Sequence, residues 1–375
     1  MTILTKAIFI SSSSSLNGIS GGQQICTQEY LNVLRHAGFE LSIIEYDWDQ
    51  RCLTRLFRKV FSKPYKYALP PNLLHDVLTR LQNSDTRFIF LNVVDLAPLA
   101  EQLRSYLSNN YRIILLSHGL ASVDFLHEIR AKGEGDAFSQ TNSSDTYKLA
   151  QQLIAECKQR KFIDFVFCLA SFEAEIERWL GAKKVTWLPR TIIESPLDWT
   201  PNNQRLGFVG TVDHPPNSEG LILFLEAFQK IAPSNVRFRL VGSPKRDAEK
   251  IAQRFPIVEY LGNLSDENLK KEASTWNCFI HPIFCYARGC STKLAIAIGW
   301  QIPIVTTSAG CRGYSWASGS LPIAETPELL AKLALDMLTL EVAQAAQKEI
   351  RIIASSSPTL FDVAKKVRSS LFSET

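Results

Sequence analysis

Short apolar runs alternate along this chain with stretches in which apolar positions recur every three or four residues. That is the alternation of buried parallel strand and amphipathic helix. Lys6-Ala7-Ile8-Phe9-Ile10 opens the series and predicts a strand over Ala7–Ser11. A Ser/Gly-rich loop to Gly22 follows, then a helix from Gln23 to Ala37 that Gly38 stops. Further strands are predicted at Leu41–Tyr46, Phe88–Val93, Arg112–Ser117, Phe165–Leu169 and Val185–Leu188. Helices are predicted at Thr146–Arg160 and Phe172–Leu180, and the polar segment Lys132–Ser144 reads as a mobile loop. The periodicity breaks over Pro189–Asn203 and then restarts. Strands at Leu206–Val209, Arg237–Val241, Val258–Leu261 and Phe279–Phe284 are predicted, with a helix at Glu219–Ile231. A helix from Ser291-Thr292-Lys293 to Gln301, a strand at Ile304-Val305 and a last helix after Ser357 complete the pattern. At 375 residues the chain suits two α/β cores better than one. The expected division is 1–200, 201–355 and a tail helix in 356–375.

Composition narrows the class without naming a chemistry. Hydrophobic residues make up 46% and charged residues 21%, ordinary values for a globular protein with sizeable cores. A net charge of +4 gives no reason to expect general nucleic-acid binding. No apolar run is long enough to span a bilayer, and the N-terminal apolar stretch reads better as a first strand than as a secretory signal. The eight cysteines are scattered, several in apolar strands, which suits reduced thiols in a cytoplasmic protein. Cys285, Cys290 and Cys311 could lie near one another, but no CxxC pair or partnered histidine makes a zinc site, so no metal is expected.

The chemistry concentrates between Phe279 and Tyr314. Strand, glycine-bearing loop, helix N-terminus and second strand form a geometry that binds phosphate. First-turn amides lack intrahelical partners, and the helix dipole puts partial positive charge there. Gly289 permits close backbone approach, Ser291 and Thr292 open the helix, and Lys293 adds a full charge in its first turn. Two other loops follow strands. Asn17-Gly18-Ile19-Ser20-Gly21-Gly22 opens a helix after the first strand, where α/β sheets bind ligands, and a structural turn is the alternative. Strict G-x-G-x-x-G spacing is absent, which disfavours a nicotinamide site. His118-Gly119 follows the buried run Ile113–Leu116, so His118 is either a ligand-facing residue or a strand-terminal cap.

Taken together, these segments resemble the GT-B glycosyltransferases, in particular the GT4-like group 1 family. Gln301-Ile302-Pro303-Ile304-Val305-Thr306-Thr307 is similar to the family's "G-x-P-V-V-T-T" tail. Phe208-Val209-Gly210-Thr211 looks like its "F-V-G" strand, and Asp213-His214-Pro215-Pro216-Asn217 like a "D-x-P-P-N" variant. Leu240-Val241-Gly242 and Tyr260-Leu261-Gly262-Asn263 match the next two strand-turn units. The resemblance implies an α/β fold of two Rossmann-like domains facing a cleft. It implies transfer of a hexose-type sugar, with retention, from a nucleotide-diphosphate sugar to a glycan, lipid-linked or small-molecule acceptor. No metal or other cofactor is required in that chemistry. By the same resemblance Gly21 and Gly22 approach the donor phosphates, Leu261 lies near the nucleotide base, and His118 sits at the sugar. Gly289, Ser291, Thr292 and Lys293 hold the diphosphate.

Two departures matter. The family's Arg beside the glycine and its Lys six residues on, both on the diphosphate, correspond here to Thr211 and Asn217. Its two glutamates correspond to Arg288 and Ile296, and isoleucine accepts no hydrogen bond. Arg288 is expected to replace part of the lost phosphate grip. Either the donor is held differently or the protein is a non-catalytic relative that binds a partner transferase or a sugar ligand. Separately, Arg51–Lys63 repeats Leu53, Leu56, Phe57, Val60 and Phe61 at helical spacing among Arg51, Arg55, Arg58, Lys59 and Lys63. The expected reading is a helix packed on the N-terminal sheet. The other is peripheral contact with the inner face of a membrane through residues 51–63.

Overall fold

A computed structural model describes residues 4–17, 21–61, 68–132, 143–202 and 204–372. The predicted loop at 132–144, residues 18–20 of the first glycine loop and residues 62 and 63 of the basic stretch lie wholly or largely outside the described residues. The chain forms two compact units. The first comprises Met1–Pro189, Ala287–Cys290 and Leu360–Thr375, the second Arg190–Tyr286 and Ser291–Thr359.

In chain order the first unit contains β1 (Thr5–Ser12), α1 (Ser13–Asn17), α2 (Gly22–His36), β2 (Phe39–Tyr46), α3 (Cys52–Val60) and α4 (Leu73–Gln82). Then come β3 (Phe88–Asn92), α5 (Ala97–Arg104), β4 (Arg112–Ser117), α6 (Ala121–Lys132), α7 (Ser143–Arg160), β5 (Phe165–Cys168), α8 (Ser171–Trp179) and β6 (Val185–Trp187). The strands pair in parallel in the order β2-β1-β3-β4-β5-β6. Both faces are covered, and the period-two geometry of a strand sorts the side chains. Ala7, Phe9, Ile114 and Leu116 enter one core, and Ile8, Ile10, Ile113 and Leu115 enter the other. Each fully buried Phe or Ile contributes roughly 1.5–3 kcal/mol of transfer free energy.

The second unit holds β7 (Arg205–Thr211), α9 (Pro215–Phe228), β8 (Arg237–Ser243), α10 (Lys245–Arg254), β9 (Val258–Gly262) and α11 (Asp266–Ala273). It continues with β10 (Cys278–His281), α12 (Thr292–Trp300), β11 (Ile304–Thr306), α13 (Pro327–Asp336) and α14 (Leu340–Ser356). Its parallel sheet runs β11-β10-β7-β8-β9. The last helix, α15 (Leu360–Phe372), packs on α2 of the first unit. There the Arg368 guanidinium donates to the Ala37 carbonyl at 3.2 Å and Phe372 stacks on Phe39.

Four expectations change. Residues 190–200, expected with the first domain, bond to the second unit: the Ser195 amide donates to the Gly299 carbonyl, Leu197 to Trp300 and Thr200 to Ser274. β10 ends at His281, because Pro282 has no amide to continue the ladder. α9 begins at Pro215, not Glu219, since proline suits the first helical turn, and this puts Asn217 inside the helix. α3 forms, but it does not pack on the sheet. None of its residues is buried, and Leu53 is 81% and Val60 66% exposed.

α7 and α8 are tied by an ion pair with no exposure at either side chain, in which Arg160 Nη2 donates to Glu177 Oε1 at 2.8 Å. A buried charge stripped of its partner is costly. Glu177→Ala is therefore expected to lower unfolding free energy by about 3–5 kcal/mol, read by urea denaturation. A loss under about 1 kcal/mol would mean that water reaches Arg160.

Candidate functional site

The second sheet runs outward from β7 to β9 and then returns to β10 on the other side of β7. Ligands bind at the strand carboxyl ends where such an order reverses. Gly210 and Thr211 end β7, His281 ends β10, and α12 begins beyond it. The Lys293 side chain crosses directly over Gly210, where a Cβ would lie 2.1 Å from Lys293 Cε. Its Nζ donates to Asn217 Oδ1 at 3.1 Å, while Asn217 Nδ2 donates to the Thr211 carbonyl at 2.7 Å. No carboxylate among the described residues pairs with Lys293. Burial, and then the charge of Arg312, push its pKa down to about 8.

Ser291 is the N-cap of α12, yet its hydroxyl makes no capping bond and lies 2.8 Å from His281 Nε2. Thr292 and Lys293 occupy the first turn, and the amides of Thr292, Lys293 and Leu294 have no acceptor among the described residues. A half-buried ammonium and three bare amides therefore converge at one helix N-terminus. This arrangement stabilises an anion. Thr211 offers its carbonyl to Asn217, not a charge to the site. Leu261, in β9, packs against the core under α12. Ile296 is 39% exposed on α12.

In the first unit the reversal lies between β1 and β3, and the carboxyl ends of β1, β3 and β4 meet around Asn92. Asn92 Nδ2 donates to Ser11 Oγ (2.9 Å) and Thr27 Oγ1 (3.0 Å). Its Oδ1 is thereby left to accept from His118 Nε2 at 2.8 Å, which assigns the ring proton to Nε2 and the lone pair to Nδ1. His118 is 8% exposed and its ring lies 5.4 Å from that of Tyr30. Val93, next to Asn92, holds φ at 78°, a strain of about 1–3 kcal/mol for a β-branched residue. Gly21 caps α2 in extended conformation, and a Cβ at Gly22 would meet nothing within 4 Å, so the start of α2 is open.

Ala287–Cys290 belongs to this unit and packs on the turn after β4. Gly119 and Gly289 both have positive φ, and a Cβ on Gly289 would stand 2.5 Å from the His118 carbonyl oxygen. The Gly289 amide donates to buried Glu173 Oε1 at 2.7 Å. The Arg288 guanidinium lies 3.1 Å from Asp124 Oδ2, so its charge is shared with a carboxylate on α6. Cys290 packs with the core of this unit and Cys311 with that of the other, and none of the eight cysteines forms a disulfide. Sequence reasoning missed Asn92, Glu173, His281 and Arg312. The available signal for His281 was its place at the end of a strand, the same one that singled out His118.

Two parallel sheets with helices on both faces, each with polar groups gathered at its strand carboxyl ends, define the GT-B glycosyltransferase fold. Residues 203–339, nearly all in the second unit, match the family model of glycosyl transferases group 1. Solved structures agree on the fold. The chain is similar to a sucrose-phosphate synthase from Thermosynechococcus elongatus at 16% identity and TM-score 0.67, covering 99% of this chain and 100% of that one. It is similar to HepE of Anabaena, solved with UDP and glucose, at 13% identity and TM-score 0.64, covering 98% and 100%. The lipopolysaccharide outer core galactosyltransferase WaaB, in its apo form, is similar at 12% identity and TM-score 0.63, covering 99% and 100%. Among curated proteins none matches significantly.

The uncompensated ammonium has a stability signature. Its folded pKa, about 8, lies below the ordinary lysine value of 10.5. Below pH 8 the charge therefore burdens the folded state in full, and the burden fades as pH rises from about 8 to 10.5. Lys293→Met is expected to stabilise the ligand-free protein at pH 7 by on the order of 1 kcal/mol after allowance for solvent screening, or about 2–4 °C in Tm. The advantage should shrink toward pH 10, as followed by thermal melts across pH. Equal melting temperatures at pH 7 would show that Lys293 bears no such burden.

Proposed function

We propose that this protein transfers a hexose-type sugar, with retention, from a nucleotide-diphosphate donor to a glycan, lipid-linked or small-molecule acceptor. One observation carries the reading: an ammonium without a carboxylate partner stands beside bare amides at the N-terminus of α12. An anionic diphosphate satisfies both. In the transfer, negative charge grows on the leaving diphosphate, and preoriented donors stabilise it more in the transition state than in the ground state. Lys293 and the amides of Thr292 and Leu294 take that role, and no divalent metal is needed for it. Lys293 substitutes for the cations that Thr211 and Asn217 lack, since its Nζ reaches Asn217. Arg288 is a supplementary phosphate ligand that exchanges between Asp124 and the donor. HepE, with UDP and glucose in its structure, supports a nucleotide-sugar site in this fold.

His118 is assigned to the sugar. Asn92 holds its ring, and the imidazole would bond a sugar hydroxyl or stabilise positive charge developing at the anomeric carbon. His118→Ala is expected to reduce kcat about 10²-fold or more with a smaller change in donor affinity. A raised KM at unchanged kcat would make His118 a binding residue only. The donor reading itself is tested by calorimetry with UDP- and GDP-hexoses. The parent should bind one series, and Lys293→Met should bind it about 30- to 100-fold more weakly, the loss of a charge-assisted bond worth about 2–3 kcal/mol. Binding without release of free nucleotide under any acceptor would favour the non-catalytic alternative, which the replaced glutamates at Arg288 and Ile296 motivate.

We further assign α3 to peripheral contact with an anionic membrane surface. Leu53, Leu56, Phe57, Val60 and Phe61 are more than half exposed, and Arg51–Phe61 carries four basic residues and no acid. Among the described residues no helix is long and apolar enough to cross a membrane, so contact of this kind lies in the interface plane. Vesicles of phosphatidylglycerol and phosphatidylcholine should co-sediment with the protein at low salt and release it as salt rises. Leu56→Glu with Phe57→Glu should abolish co-sedimentation. Binding that survives the double change would rule out α3 as the contact.

A further inference from the structure

Serine is at Ser291 the residue type that normally closes a helix start, yet it leaves α12 open. The reason is direction: the hydroxyl is turned toward His281 and makes no bond to the first-turn amides, although its oxygen keeps acceptor capacity. Thr306 Oγ1 donates to the His281 carbonyl at 3.3 Å and lies 2.9 Å from His281 Nδ1, so it accepts the Nδ1 proton. Nε2 then carries the lone pair and takes the proton of the Ser291 hydroxyl, 2.8 Å away. The Ser291 carbonyl accepts from the Tyr314 hydroxyl, which in turn accepts from the Ala295 amide at 2.9 Å. That amide is the one that would close the first turn onto Ser291 in a regular helix. Tyr314 is therefore inserted into the first helical bond.

The surroundings keep this arrangement in force. His281 is fully buried, and burial followed by the charges of Lys293 and Arg312 holds its pKa well below the ordinary value, so the ring stays neutral and Nε2 stays an acceptor. Gly310 leaves the space the ring needs. A Cβ there would stand 2.8 Å from His281 Nδ1 and 2.5 Å from Thr306 Oγ1.

We propose that His281 is a positioning residue: by taking the Ser291 hydroxyl it prevents self-capping of α12 and keeps the first-turn amides free for the diphosphate of the nucleotide ligand. This rests on the donor reading above and deepens it. A self-capped helix and a bound diphosphate compete for the same amides, so loss of His281 lowers affinity only while Ser291 retains a hydroxyl to cap with.

That conditional effect is the test. With UDP and GDP as probes in calorimetry, His281→Ala should weaken binding about five- to tenfold, the range expected from a serine cap acting as competitor. In a Ser291→Ala background the same His281 change should alter affinity by less than about twofold. His281→Gln, whose carbonyl oxygen can accept the Ser291 proton, should retain most of the affinity and guards against a folding defect in the alanine variant. Amide hydrogen exchange at Leu294 gives a readout without nucleotide: it should slow in His281→Ala as the cap forms. Equal losses in both Ser291 backgrounds would overturn the proposal, because they would indicate general damage to the pocket. Unchanged exchange at Leu294 in His281→Ala would overturn it too. A parent that binds neither nucleotide would refute the donor reading, and the exchange result would still decide whether His281 diverts the cap.

Discussion

The second unit is organised around a positive charge that its own residues do not neutralise. Lys293 is half-buried, its pKa is pushed down, and its polar contact is the carbonyl oxygen of an asparagine. A protein selected for stability alone would exchange such a group for an apolar one. Several backbone features exist to accommodate it. Gly210 has no side chain because the lysine stem occupies that volume, and Gly242 has none because a Cβ would fall 1.8 Å from the Gly210 carbonyl oxygen. Asn217 is turned by its bond to Thr211 so that an acceptor, not a donor, meets the ammonium. Stability is given up at a place where a bound anion would restore it.

The first unit uses the opposite means. Its polar cluster at the carboxyl ends of β1, β3 and β4 is built from neutral groups, and its specificity is one of orientation. Ser11 and Thr27 fix the Asn92 amide, Asn92 fixes the His118 tautomer, and Tyr30 lies beside the ring. The strained backbone at Val93 persists because the strand, the buried Val93 side chain and the bond from its amide to the Leu116 carbonyl hold it. Glu173 contributes as an acceptor for the Gly289 amide, so a carboxylate here serves backbone placement. One cluster thus carries a charge, and the other fixes the orientation of neutral polar groups.

α3 stands apart from both. Its apolar residues are exposed and add nothing to either core. Arg51–Phe61 carries basic residues and no acidic ones, and Arg51 pairs with Asp49 just before the helix.

Much of this was legible in the chain before folding. Periodicity fixes strands such as Arg112–Ser117, because a residue run buried on two faces has few other conformations open to it. Strand alternation with helices predicts parallel sheets, and parallel sheets put the loops after strands where ligands bind, which is why the sequence singles out Gly210, His118 and Lys293 as candidates. Tertiary structure decided the rest. The partners Asn217 and Lys293 are 76 positions apart and His118 and Asn92 are 26 apart, and no local pattern encodes such contacts. The fate of Arg288 depended on Asp124, a residue 164 positions away that takes up its charge. The role of Ser291 depended on a histidine at the end of β10. By sequence it is a helix cap, and only the position of the His281 ring makes it the means by which the helix stays open.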